Sequence, residues 1–342
     1  MKIFYGAGPN FDTGQQLARF VAANKHEIKI AAHLKSSEIF SHIHWTLDAL
    51  YNSIDIKNSQ DIFQLLGHAG APKIVMKQTE ILLREIDDYS PDLIISNAEP
   101  VSAHLGKALN IKTWYCSPLH LLDGVEWERG DLRYLSLLSA TKKFLSTLPT
   151  PDKILVYSPF GDLTNSPALK SGYEWIQPYW IPAQVNKPNE SMAVIPTKQR
   201  FSRLTKVLNC VSFDLTLFTQ FSDSFTHLKT KLLEDMDSYK KAISNCRWFF
   251  TPGDTSYLAD AIYNAIPRIC IAPSLNEPEN LLNAILCKQY GFGDDVAQVE
   301  LMDKYAIAEL EKSQAKQTGS SYTTQISAPK LNEKVDEYAL LF

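Results

Sequence analysis

The stretch from Trp248 to Ala284, WFFTPGDTSYLADAIYNAIPRICIAPSLNEPENLLNA, decides how the chain is read. It opens on the apolar run Trp248–Phe250 and passes through Thr251-Pro252-Gly253-Asp254-Thr255-Ser256. From Tyr257 to Ala265 the apolar residues recur at helical spacing. Ile269–Ala272 is a second apolar run, closed by Pro273, and Glu279 to Gln289 is a second helical stretch. Short unbroken apolar runs between helices are what strands buried on both faces of a parallel sheet require. Both polar clusters fall where a strand hands over to a helix, the place where open α/β sheets bind ligands.

Outward from this stretch the same alternation fills the chain. Lys2–Tyr5 reads as a strand, Gln15 to Ala23 as a helix capped by Asp12 or Thr13, and Glu27–Ala32 as a strand. Ile74 to Ile86 is helical, Leu93–Ile95 a strand, Val101 to Leu109 a helix and Ile111–Tyr115 a strand. Arg133 to Leu148 and Ile154–Tyr157 complete the first series. Prolines 178, 182 and 188 then mark a break. Met192–Ile195, Gln199 to Leu208, Val211–Phe218 and Ser238 to Ser244 restart the alternation. The polar stretch Ser313–Ala328 reads as a loop, and Leu331 to Leu341 as a helix with Leu331, Val335, Tyr338 and Leu341 along one stripe. The expected fold is α/β: two Rossmann-like parallel-sheet domains facing a cleft. Residues 1–182 form the N-terminal unit, 183–190 a linker, 191–325 the C-terminal unit, and 326–342 a helix returning to the N-terminal unit.

Composition narrows the class. The 342 residues suit two domains, with 45% hydrophobic and 21% charged residues as in a globular enzyme. A net charge of −4 gives no global attraction to nucleic acid or acidic membranes. The five cysteines form no CxxC and sit among apolar neighbours, which predicts reduced thiols and a cytoplasmic protein. No run of about 18 apolar residues suggests a membrane span, and MKIFYGAGPN turns polar too soon for a signal peptide.

The junctions carry the chemistry. Gly253 followed by Thr255 and Ser256 at a helix start offers free N–H groups and a positive dipole end to an anion, or an ordinary cap. Glu279, Asn280 and Asn283 form a cluster suited to hydroxyls, or again a cap. In combination Gly253, Thr255, Ser256, Asp260-Ala261, Pro267, Pro273, Glu279-Asn280 and Asn283-Ala284 resemble the donor-binding signature of the GT-B glycosyltransferases. The seven-residue step from acid to proline is kept in Asp260 and Pro267. PDLIISNAEPVSAHLGKALNIKTWYCSPLH, residues 91–120, is similar to a segment of the UDP- and dTDP-sugar transferase branch, which includes the peptidoglycan N-acetylglucosaminyltransferase.

That resemblance implies an inverting, metal-independent glycosyltransferase, a UDP-sugar being the favoured donor. Donor contacts would fall to Gly253, Thr255, Ser256, Asp260, Glu279, Asn280 and Asn283. Separately, the basic set after a C-terminal-unit strand offers Lys198 or Arg200 to neutralise diphosphate, or simply forms a solvated helix face. No cofactor or metal is expected, the nucleotide-sugar being a co-substrate. The acceptor hydroxyl is unassigned: a glycan, a small molecule, a lipid or a modified DNA base. The chain departs from the pattern at Ile266, where the family has glycine, and in the shortened Asp260 and Asn280. A silent nucleotide-sugar binder and a UDP-sugar 2-epimerase of the same fold are the alternatives.

Inversion needs a base for the acceptor proton. The loop GAGPNFDTG holds no histidine, and Asp12 takes the equivalent place, as base or helix cap. Glu99 past a central strand is the rival, as base or as a loop acid holding backbone, and His120 follows the next strand. The pair Asp235 and Asp237 reads as a helix start rather than a metal–diphosphate site, and Gly6-x-Gly8 lacks the third glycine of a dinucleotide fingerprint.

Overall fold

A computed structural model of the chain describes residues 1–8, 11–32, 71–127, 138–161, 167–183, 189–195, 214–219, 229–232, 235–271, 278–290 and 328–341. Two sheets organise them. The first contains β1 (Lys2–Ala7), β2 (Glu27–Ala32), β3 (Leu93–Asn97), β4 (Thr113–Cys116), β5 (Lys153–Tyr157) and β6 (Tyr173–Ile176), in the order β2-β1-β3-β4-β5-β6. The second contains β7 (Glu190–Ile195), β8 (Leu215–Thr219), β9 (Lys229–Leu232), β10 (Cys246–Thr251) and β11 (Arg268–Ile271), in the order β11-β10-β7-β8-β9. All strand pairings within these sheets are parallel. Strand order reverses between β1 and β3 and again between β7 and β10, and these two switch points leave crevices at the strand ends.

The central strands β3 and β4 are buried at every residue, as their unbroken apolar sequences demand. Helices α1 (Phe11–Ala23), α2 (Ala71–Tyr89), α3 (Pro100–Ala108), α4 (Leu121–Gly124) and α5 (Ser139–Thr147) accompany the first sheet. With the second run α6 (Met236–Ser244), α7 (Thr255–Tyr263) and α8 (Pro278–Tyr290). Asp235 caps α6 by accepting from Ser238 N, so the DxD does start a helix. Helix α9 (Leu331–Ala339) packs on the first sheet: Leu331 and Val335 share a core with Ile3, Leu17 and Trp114, and Tyr338 lies 5.2 Å from the Trp114 ring.

Several expectations need adjusting. Helix α1 begins at Phe11 rather than Gln15, so Asp12 lies inside its first turn instead of flanking it as a cap. The second-unit strand expected from Val211 is observed as Leu215–Thr219. Strands β6 and β9 were not anticipated, because YEWI and KTKL are half-exposed edge sequences without an apolar run. Of the helix expected over 133–148, Ser139–Thr147 is described. The stretches 199–208 and 313–327 lie outside the described residues.

The largest core cluster does not stop at either sheet. Leu121, Leu122, Val156, Phe160 and Ile181 belong to the same buried cluster as Tyr257, Leu258, Leu281 and Ile285. Burying side chains of this size is worth about 1.5–3 kcal/mol each, so the two units are joined by an apolar seam. The four described cysteines, Cys116, Cys246, Cys270 and Cys287, are free and buried. No helix among the described residues is long and apolar enough to cross a membrane.

Candidate active site

The strand ends of both sheets meet at the seam. Helix α1 packs on α7, and the 3-10 turn Pro118–His120 packs on α8. Of the residues expected from the sequence, these contacts set His120 against the helix that carries Glu279, Asn280 and Asn283.

On the C-terminal side, β10 ends at Thr251 and the chain turns through Gly253 at φ +106, a conformation that favours glycine. A Cβ there would also press on Ile271 Cγ2 and on Asn280 O, 3.0 and 3.1 Å away, so glycine lets α8 come close. Asp254 precedes α7 but its side chain makes no cap bond. Thr255 N instead donates to Glu279 Oε1 at 3.1 Å, from the start of α8. Asn283 Nδ2 donates to Gly253 O at 2.8 Å and to Thr255 Oγ1 at 3.0 Å, fastening the turn. Asn280 is fully buried, and among the described residues neither Nδ2 nor Oδ1 has a hydrogen-bond partner. Asn283 Oδ1 is likewise unsatisfied. Buried polar groups are nearly always paired, and an orphan costs about 1–3 kcal/mol.

Ser256 and Asp260 are engaged differently. Ser256 Oγ receives a hydrogen bond from Gln16 Nε2 on α1. Asp260 is fully buried: Oδ1 accepts from Ile181 N at 2.6 Å, Oδ2 accepts from Tyr239 Oη at 3.1 Å, and Arg19 stands 3.8 Å from Oδ2. Burial and Asp260 together push the Tyr239 phenol well above its ordinary value. Lys198 and Arg200 lie outside the described residues.

On the N-terminal side, Ser96-Asn97-Ala98-Glu99 makes a tight turn with Ala98 at φ +54. Ser96 Oγ donates to Glu99 O at 2.7 Å. Glu99 caps α3, Oε1 accepting from Val101 N at 2.9 Å and Oε2 from Ser102 N at 2.7 Å. A Cβ on Gly6 would overlap Ser102 Oγ and Glu99 Oε2, so glycine admits this cap beside β1. Asn97 Nδ2 donates to Tyr5 Oη at 3.3 Å, while its buried Oδ1 has no partner among the described residues. His120 is buried and stacks on Tyr115, ring centroids 5.6 Å apart. Burial lowers its pKa to about 4, so the imidazole is neutral near pH 7. Asp12 lies in the first turn of α1, and its side chain lies outside the described residues.

Gln16, Arg19, Asn97 and Tyr239 did not emerge from the sequence. Gln16 and Arg19 share one face of α1 at helical spacing, a signal that gains meaning only once α7 is known to pack there.

No protein-family model matches the chain, and no curated protein sequence matches it. Solved structures do. The spinosyn rhamnosyltransferase SpnG complexed with thymidine diphosphate superposes with a TM-score of 0.58 at 12% identity, covering 99% of this chain and 100% of that one. MurG of Acinetobacter baumannii gives 0.57 at 12% identity, covering 100% and 99%. The glycosyltransferase SnogD of Streptomyces nogalater gives 0.54 at 13% identity, covering 100% and 99%. Superposition over the whole chain, together with two parallel sheets meeting at their switch points, establishes that the chain has the two-domain GT-B fold.

Proposed function

We propose that the chain is a glycosyltransferase that moves a sugar from a nucleotide-sugar, a UDP-sugar being favoured, to a hydroxyl acceptor with inversion and without a metal. The observation that carries this reading is the Asn280 amide, wholly buried and without a partner among the described residues, next in sequence to Glu279, whose carboxylate accepts from Thr255 N. Asn280, Asn283 and Glu279 would hold sugar hydroxyls, and the α7 N-terminus from Gly253 to Ser256 would face the diphosphate. Lys198 or Arg200 would share in neutralising the leaving charge.

Asp12 is the base in this reading. Glu99 is spent on two cap bonds, and His120 is held too weakly basic by burial. The acceptor hydroxyl would pass its proton to Asp12 while its oxygen attacks the anomeric carbon opposite the nucleotide. The bond from that carbon to the phosphate oxygen breaks, and the diphosphate leaves with the electron pair. The acceptor class stays open among glycan, small molecule, lipid and modified DNA base.

A silent nucleotide-sugar binder is the second reading, favoured by the capping role of Glu99. Titration calorimetry with a panel of UDP- and dTDP-sugars, followed by a turnover assay, decides. Binding with transfer or donor hydrolysis supports the enzyme. Binding alone supports the binder, and no binding sinks both.

A further inference from the structure

Arg19 lies on α1, in the N-terminal unit, yet its partners lie beyond that unit's sheet. Its Nη1 donates to Tyr179 O at 2.6 Å, and its Nη2 faces Asp260 Oδ2 on α7 at 3.8 Å. Around this pair the connecting segment is fastened on both sides. Tyr179 N donates to Tyr157 Oη at 3.1 Å and to Gln16 Oε1 at 3.3 Å. Tyr179 Oη bonds Asn332 Oδ1 at 2.8 Å, reaching the tail helix α9. Ile181 N is held by Asp260, Ala183 N donates to Asn264 Oδ1 at 2.7 Å, and Asn264 Nδ2 donates to Ile181 O at 2.9 Å.

Charges in such a place are expensive to bury, and their attraction offsets that cost only when their geometry is kept. Burial opposes the Arg19 charge, but Asp260 and the surrounding tyrosines outweigh it and raise the Arg19 pKa. The pair therefore specifies one arrangement of α1 against α7 more than it stabilises the fold. The first turn of α7, whose N–H groups face the proposed diphosphate site, begins five residues before Asp260. Gln16 holds Ser256 in that same turn, so two side chains of α1 fix it from the opposite unit.

We propose that Arg19 is a positioning residue: by holding Asp260 it keeps the first turn of α7 where a diphosphate can be received, so that donor affinity depends on the N-terminal unit. The proposal rests on the donor-site reading above, and its test separates the two. UDP and dTDP are titrated into wild type, Arg19→Gln and Arg19→Lys, while hydrogen exchange follows the amides of Thr255 to Ala261 in nucleotide-free protein. Arg19→Gln is expected to weaken both nucleotides by about tenfold or more and to speed exchange in α7, as the loss of a charged partner predicts. Arg19→Lys, which keeps a charge toward Asp260, should recover to within about threefold of wild type. Gln16→Ala, probing the same turn without touching a charge, replaces Arg19→Gln if that variant does not fold. Tight wild-type binding that is unchanged in folded Arg19→Gln or Gln16→Ala overturns the proposal and leaves the donor site standing. Wild type that binds neither nucleotide, with exchange still accelerated in the variant, keeps the α1–α7 clamp and overturns the donor reading.

Discussion

Helices α3 and α7 both begin at the carboxyl end of a central strand, and they are closed in opposite ways. Helix α3 is capped from within: Glu99 lies immediately before it and bonds Val101 N and Ser102 N. Helix α7 takes no cap bond from Asp254, and Thr255 N is met by Glu279, 24 residues away on another helix. A local cap forms with its own turn and is lost only if that turn unravels. A long-range cap depends on the packing of α8 against α7 rather than on its own turn. The neighbouring amides differ only in degree. Among the described residues Asn280 and Asn283 leave three polar atoms unsatisfied on the α7 side and Asn97 leaves one on the α3 side, where both Glu99 oxygens are satisfied. The first helix start is therefore closed by its own turn, and the second by a residue of another helix.

The largest effect should come from neither Glu99 nor Glu279. Asp12→Asn should lower turnover by about 10²–10⁴, the usual share of general base catalysis, with donor affinity nearly unchanged. Near-normal turnover in Asp12→Asn, with a comparable loss in Glu99→Gln, would break the contrast by making the cap the base.

His120 sharpens it by pH. Its folded pKa lies below its ordinary 6.5, at about 4, so the unfolded chain takes up the proton first as pH falls. The neutral side chain's contribution is fully present above pH 6.5 and lost progressively down to about pH 4, in total about 3 kcal/mol. Urea unfolding at several pH values in wild type and His120→Phe should show this slope only in wild type. Equal slopes would mean that His120 is hydrated.

Glu279→Gln tests whether the α7 cap is exchangeable. Without a competing charge, the variant should bind UDP at least as tightly as wild type does. It should bind the matching UDP-sugar about tenfold more weakly or worse, through the lost charged hydrogen bond to the sugar. Parallel calorimetric titrations check the divergence, and equal losses for both ligands would show Glu279 to be a fixed cap like Glu99. The smallest effect belongs to Glu99→Ala, which should cost about 1–2 kcal/mol of stability in a urea melt. No change in stability would remove Glu99 from its structural role.

The buried frame was legible in the sequence because central strands carry short apolar runs. LII at 93–95 and the runs around Phe249 and Cys270 announce themselves, and the GT-B resemblance followed from the spacing of Gly253, Asp260, Pro267 and Glu279. Edge strands β6 and β9 were not legible, since a half-exposed strand needs no apolar run. The start of α1 was misplaced because Asp12 looks like a cap wherever it stands near a helix end.

Residue types at the strand ends were fixed by the sequence alone, and so was the fact that these ends carry acids and amides. Which of those groups are already satisfied was decided only by the tertiary structure. Glu99 can find its partners two and three residues away, so its role is nearly local. Glu279, Asp260 and Ser256 find theirs in Thr255, Ile181 and Gln16, at separations up to 240 residues. Such pairings depend on how one sheet is set against the other, and the apolar seam sets that, since burying its surface outweighs the preference of any single polar group.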